Sequence, residues 1–150
     1  KEVAEMMRHS DLFAMSLYPH MSPEVPRPLP ASFLNFATSF KKAIVVAESG
    51  MTSRNVDLKS YGTTLFGSDG DQQQFTEMLL KTAARDSYDF VINFASTDSD
   101  RLVARLRPPL DDIARIWAYT GMQSSEKKLK PASAVWDGFY RAKYEQAKWW

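Results

Sequence analysis

The sequence predicts an α/β fold in which parallel strands are covered by outer helices. Two observations predict it. Short apolar runs that suit buried strands begin at Asp11, Lys42 and Phe90, and stretches with apolar residues at helical spacing separate them. Strands that alternate with helices form right-handed βαβ units, and such units build parallel sheets.

Residues 1–9 (KEVAEMMRH) place Val3, Met6 and Met7 at helical spacing and read as the tail of a helix. Residues 11–17 (DLFAMSL) form an apolar run that Pro19 stops, the pattern of a buried strand. Residues 20–30 hold four prolines and fit only a loop. Residues 31–40 (ASFLNFATSF) read as a helix with Phe33, Leu34, Phe36, Ala37 and Phe40 on its apolar side. Residues 42–47 (KAIVVA) are the clearest strand, rich in β-branched side chains and followed by Glu48-Ser49-Gly50. A long polar loop with Gly62, Gly67 and Gly70 leads to a helix over residues 71–84, with Asp71 as its N-cap and Phe75, Met78, Leu79 and Thr82 on one face. Residues 90–94 (FVINF) are the third strand. A short helix over 101–106 ends before Pro108 and Pro109, a second covers 110–119 with Ile113, Ile116 and Trp117 inward, and a last one covers 131–144.

Three strands cannot close a barrel, and a parallel sheet with open edges needs a cover. Met15, Val46 and Ile92 are expected to face inward without a partner layer, so further chain or another polypeptide is expected to supply it. The first residue is Lys1, not Met, and the chain reads as beginning partway through a helix. The compartment stays open, with a secreted or periplasmic one compatible.

The composition narrows the function classes. Of 150 residues, 44% are hydrophobic and 25% charged, the balance of a globular protein. Nineteen basic and 18 acidic residues give a net charge of +1, which offers no electrostatic footprint for nucleic acid. Lys127, Lys128 and Lys130 form the densest basic cluster and read as a solvated loop. No apolar run approaches the roughly 20 residues of a membrane span. Without cysteine there is no disulfide, no thiolate metal site and no cysteine nucleophile. His9 and His20 lack a metal-binding spacing, so neither a metal nor a cofactor is expected, and no phosphate-binding glycine loop is present. Glu48-Ser49-Gly50 lacks the first glycine of a serine nucleophile elbow.

The chemical signal is Glu48. An ionisable residue at the C-terminal end of an apolar parallel strand sits where α/β barrels place their active sites. A carboxylate there costs desolvation energy unless it is paired or used. Read locally, Glu48 is either a catalytic carboxylate or a strand-end residue that meets a neighbouring arginine.

Residues 11–19 (DLFAMSLYP), 44–50 (IVVAESG), Gln74-Phe75, 89–98 (DFVINFASTD), 119–122 (YTGM) and 130–136 (KPASAVW) occur in an order that resembles the last three βα units of the clan A (β/α)8-barrel glycoside hydrolases. The resemblance implies that residues 1–150 are the C-terminal portion of one TIM-barrel catalytic domain, strands 6 to 8. It implies a retaining hydrolase of β-linked oligo- or polysaccharides, with Glu48 as nucleophile and Tyr18 hydrogen-bonded to it. His20 then stands near the sugar hydroxyls, or is a solvent-exposed loop histidine. Phe94 takes the place of the tryptophan that floors the site in the family. Asn93 is the alternative, since only one of the two can face the barrel interior. Asp98 and Asp100 either bind sugar hydroxyls or cap the helix near Arg101. Trp117 and Trp136 read as outer-layer core, and Trp149 and Trp150 either pack on further chain or are exposed.

Retaining chemistry needs two carboxyl groups about 5–5.5 Å apart, and in this clan the acid/base follows an asparagine. The sequence holds no Asn-Glu pair, so the acid/base is expected outside these residues. Two further readings stay open: a barrel without catalysis that binds carbohydrate or serves as a scaffold, and a barrel enzyme that uses Glu48 as a proton-abstracting base.

Overall fold

A computed structural model describes residues 2–142 of the chain. Trp149, Trp150 and the expected end of the last helix at Tyr144 lie outside the described residues. Five helices, α1 (Glu2–Met7), α2 (Asp69–Arg85), α3 (Asp100–Val103), α4 (Leu110–Arg115) and α5 (Pro131–Arg141), accompany five strands, β1 (Leu12–Leu17), β2 (Ala43–Ser49), β3 (Val56–Leu58), β4 (Thr63–Leu65) and β5 (Phe90–Asn93). β1, β2 and β5 form one parallel sheet in chain order, the arrangement the alternation predicts. The fold is therefore mixed α/β with a parallel sheet.

One face of this sheet is covered. Phe13, Met15 and Leu17 of β1 join Ile44 and Val46 of β2 and pack on Leu34, Ala37, Phe75 and Leu79. Met15 and Val46 thus point to the helices, which corrects the expectation that they face inward. The other face is open. Leu12, Ala14 and Ser16 are exposed there, and Phe90, Ile92 and Phe94 are 47%, 48% and 51% exposed.

Several local expectations change. Residues 35–40 form a 3-10 helix rather than an α-helix over 31–40. The Thr38 and Ser39 hydroxyls donate to the carbonyls of Asn35 and Phe36, three residues back, a contact that competes with α-helical bonding. α2 begins at Asp69, and Ser68 is its N-cap. The Ser68 hydroxyl accepts from the Asp71 amide at 3.1 Å and donates to the Asp71 carboxylate at 2.7 Å. Asp71 therefore completes the cap from inside the helix. The loop after β2 contains an antiparallel hairpin, β3 with β4, turned by Gly62 at φ +58°. Val56, Leu58 and Leu65 of the hairpin pack on Ile116 and Tyr119. α4 ends at Arg115 rather than at Tyr119, which frees Trp117 from the helix.

Polar contacts lock the loops at the C-terminal ends of the strands. The buried Gln72 amide donates to the carbonyls of Met51 and Gly121 at 3.0 and 3.1 Å. The Thr120-Gly121 turn presses on the segment after β5, so closely that a Cβ on Gly121 would lie 2.4 Å from the Asp98 nitrogen. Gly121→Ala should therefore lower unfolding stability by about 1–3 kcal/mol, the range for forced overpacking, read by urea denaturation. An unchanged midpoint would show that the turn can shift without cost.

Candidate active site

Glu48 owes its position to an irregularity in β2. β1 and β2 stay in register from Leu12 opposite Ala43 to Met15 opposite Val46, and then Ser16 lies opposite Glu48. Ala47 is the extra residue of a bulge. In a regular strand, side chains alternate between faces, and Glu48 would follow Ile44 and Val46 into the apolar core. The bulge turns it to the open face beside Ser16. Ser49 takes the core-side position instead, buried, with its hydroxyl donating to the Ile92 carbonyl at 2.8 Å.

Tyr18 reaches Glu48 from the next strand end. Its hydroxyl donates to Glu48 Oε2 at 3.1 Å. Burial raises the Tyr18 phenol well above the usual tyrosine range, and the hydrogen bond and charge of Glu48 add to the rise. The phenol thus stays protonated and able to donate wherever the protein works. Gly50 makes room for this ring: a Cβ there would meet Tyr18 Cε1 at 3.1 Å and Thr120 Cβ at 3.2 Å.

Two more rings close on Tyr18. Phe94 stands edge-on to it with centroids 6.0 Å apart, and Trp117 does so at 6.3 Å. Phe94 and Trp117 lie 6.2 Å apart at 48°. Trp117 thus stands beside Tyr18 and Phe94 rather than in the outer-layer core that its helical spacing predicts. Because α4 stops at Arg115, residues 116–119 form a turn that carries the indole to the strand ends. Asn93 turns its amide to the Ala95 carbonyl at 2.7 Å.

His20 is not a solvent-exposed histidine. It is 2% exposed, and its Nε2 lies 3.1 Å from the Ile116 carbonyl oxygen, which fixes the tautomer with the proton on Nε2. Burial holds its pKa below the usual histidine value, and Arg27 pushes the same way.

Asp98 is drawn into a buried ion pair away from this cluster. Its Oδ1 accepts from the Gly121 amide at 3.0 Å and from Lys130 Nζ at 2.6 Å. Lys130 also donates to Ser53 Oγ at 2.8 Å and to the Tyr119 carbonyl at 3.2 Å. Burial raises the Asp98 carboxyl and lowers the Lys130 ammonium, each shift opposed by the partner. Lys130 therefore leaves the solvated cluster the sequence assigns it to. Asp98 does not cap α3, whose N-cap is Ser99 without a side-chain bond; it ties three loops together instead.

Among the described residues, the remaining glutamates stand apart from Glu48. Glu5, Glu77 and Glu126 form surface ion pairs with Arg8, Lys81 and Arg101, while Glu2 lies on exposed α1 and Glu24 in an exposed loop. Among the described residues, no group of three or more acidic, histidine or cysteine side chains is placed to hold a metal ion, and no helix is long and apolar enough to cross a membrane.

No protein-family model matches the sequence, and no curated protein matches it. Solved structures do match by fold. The β-glucuronidase of Faecalibacterium prausnitzii superposes with a TM-score of 0.56 at 14% identity, covering 91% of this chain and 22% of its own. The β-D-glucuronidase of Dictyoglomus thermophilum gives 0.58 at 12%, covering 89% and 23%. A Rhizomucor miehei β-1,3-glucanosyltransferase in complex with laminaritriose gives 0.56 at 16%, covering 84% and 43%. The chain spans about a fifth of the two glucuronidases and less than half of the transferase. At these identities the likeness is one of fold: the mixed α/β structure with its parallel sheet matches part of the chains of TIM-barrel glycosidases.

The low His20 pKa has a consequence for stability. Its folded value lies below the unfolded value of about 6.5, so its contribution is present above that pH and is lost as pH falls through the folded value. Thermal stability should therefore fall as the pH drops below about 6.5 in the native protein, and less so in His20→Gln. Parallel pH profiles for the two would refute this.

Proposed function

We propose that residues 1–150 form the C-terminal portion of a (β/α)8 catalytic domain, strands 6 to 8, of a retaining glycoside hydrolase acting on β-linked oligo- or polysaccharides. The observation that carries the reading is the Tyr18–Glu48 hydrogen bond at the C-terminal ends of two parallel strands, on the sheet face that none of the described helices covers. The glucuronidases and the glucanosyltransferase that share the fold are named for β-linked sugars, and the proposal extends that chemistry to this chain.

In this mechanism Glu48 Oε attacks the anomeric carbon while an acid/base carboxyl protonates the departing glycosidic oxygen. The carbon–oxygen bond to the leaving group breaks, and a glycosyl ester on Glu48 forms. Water, deprotonated by the same acid/base, then attacks the anomeric carbon and releases Glu48 as carboxylate. Tyr18 donates to the carboxylate throughout and orients the attacking oxygen. Phe94 offers an apolar face beneath the sugar. The acid/base belongs to a part of the barrel outside these residues, so these residues alone give no normal turnover. The carbohydrate is the partner, and the preceding barrel strands or another chain cover the open face.

Phe94 favours one second reading. A phenylalanine where the resembling family has tryptophan removes a hydrogen-bond donor from the floor, which suits a barrel that binds carbohydrate without cleaving it. The same experiment decides between the two. In the complete protein, Glu48→Gln should lower aryl β-glycoside turnover by orders of magnitude with unfolding unchanged. Tyr18→Phe should cost roughly 1–3 kcal/mol of transition-state stabilisation, as for a lost hydrogen bond to a charged group. A fluorinated glycoside should label Glu48. Sugar binding without any turnover would establish the binding reading, and label on another residue would end the assignment.

A further inference from the structure

We propose that His20 and Trp117 are positioning residues of the Glu48–Tyr18 pair, forming a clip that fixes the Tyr18 ring with its hydroxyl on Glu48. The clip joins two segments far apart in the chain. His20 lies two residues after Tyr18, in the turn after β1. Its imidazole reaches the main-chain oxygen of Ile116 at 3.1 Å, and the next residue, Trp117, sets its indole edge-on against Tyr18 at 6.3 Å. His20 itself stands edge-on to Tyr18 on another side, with centroids 6.2 Å apart. With Phe94 at 6.0 Å and Gly50 against Cε1, the phenol ring is held by four neighbours.

The choice of residues argues for positioning over filling. An apolar side chain would occupy the His20 site without the cost of desolvating a polar ring. Histidine accepts that cost and gains a bond to one backbone oxygen, the one that places Trp117. The indole N–H is likewise buried and makes no hydrogen bond of normal geometry. Neither residue hydrogen-bonds Glu48, and both pack on Tyr18, so both act through Tyr18.

The kinetic part of the clip rests on the reading of Glu48 as nucleophile; the geometric part does not. In the complete protein, Trp117→Phe and His20→Ala should each lower kcat about tenfold with KM within about twofold, and His20→Gln, whose amide can donate from the Nε2 position, should restore most of the loss. In a Tyr18→Phe background the same substitutions should cost little more, because the group they position is gone. Full additivity in that double-mutant cycle would overturn the clip while leaving Glu48→Gln to report on the glycosidase reading separately. The second measurement needs no turnover. The 13C shift of Tyr18 Cζ at neutral pH should move toward that of a water-exposed tyrosine in His20→Ala, as the ring loosens from Glu48 and gains water. An unmoved Tyr18 Cζ shift overturns the clip whatever the activity.

Discussion

The site depends on the bulge at Ala47. Strict alternation along β2 would bury Glu48 among the apolar side chains that receive Ile44 and Val46. An unpaired carboxylate there would cost several kcal/mol. One inserted residue reverses the side on which every later side chain emerges. Glu48 moves to the open face, and Ser49 enters the core side, where a small hydroxyl finds the Ile92 carbonyl. The same shift appears against β5, where Val46 pairs with Val91 but Ser49 pairs with Asn93. All three strand ends are thus staged by one irregularity, and the Tyr18 contact follows from it.

Above the strands, polar contacts do what an apolar core does below them. Lys130 fills its donor capacity with Asp98, Ser53 and the Tyr119 carbonyl, and so joins the loops after β2 and β5 to the start of α5. A buried ion pair contributes little net stability, because desolvation offsets its attraction. What it does is penalise every loop arrangement that separates the charges. Gln72 acts similarly from the first turn of α2, holding Met51 and Gly121. These loops frame the strand ends that carry Tyr18 and Glu48.

The open sheet face has a different logic. Leu12, Phe90, Ile92 and Phe94 are exposed together, while the opposite face is packed to near-complete burial. Contiguous apolar exposure marks a surface that meets something else. The matched glucuronidase chains are several-fold longer than the aligned region. Phe94 sits where that apolar face meets the polar site, so one ring belongs to both.

The sequence by itself determined the elements with strong local signals. β1, β2 and β5 are apolar runs with firm stops, α2 has a clear apolar face, and Glu48-Ser49-Gly50 marks a strand end. Parallel order followed from the alternation of helix and strand. Tertiary structure decided the rest. The bulge leaves no trace in KAIVVAES, since an extra alanine among apolar residues does not disturb the pattern. The hairpin of Val56–Leu58 and Thr63–Leu65 is too short to outweigh the polar loop around it. Trp117 keeps helical spacing although its helix ends two residues earlier, and His20 looks like loop until Ile116 is beside it. Lys130 reads as solvated because its partner Asp98 is 32 residues away. In each case the deciding partner is distant in the chain, and local periodicity records only which face a residue prefers, never what waits there.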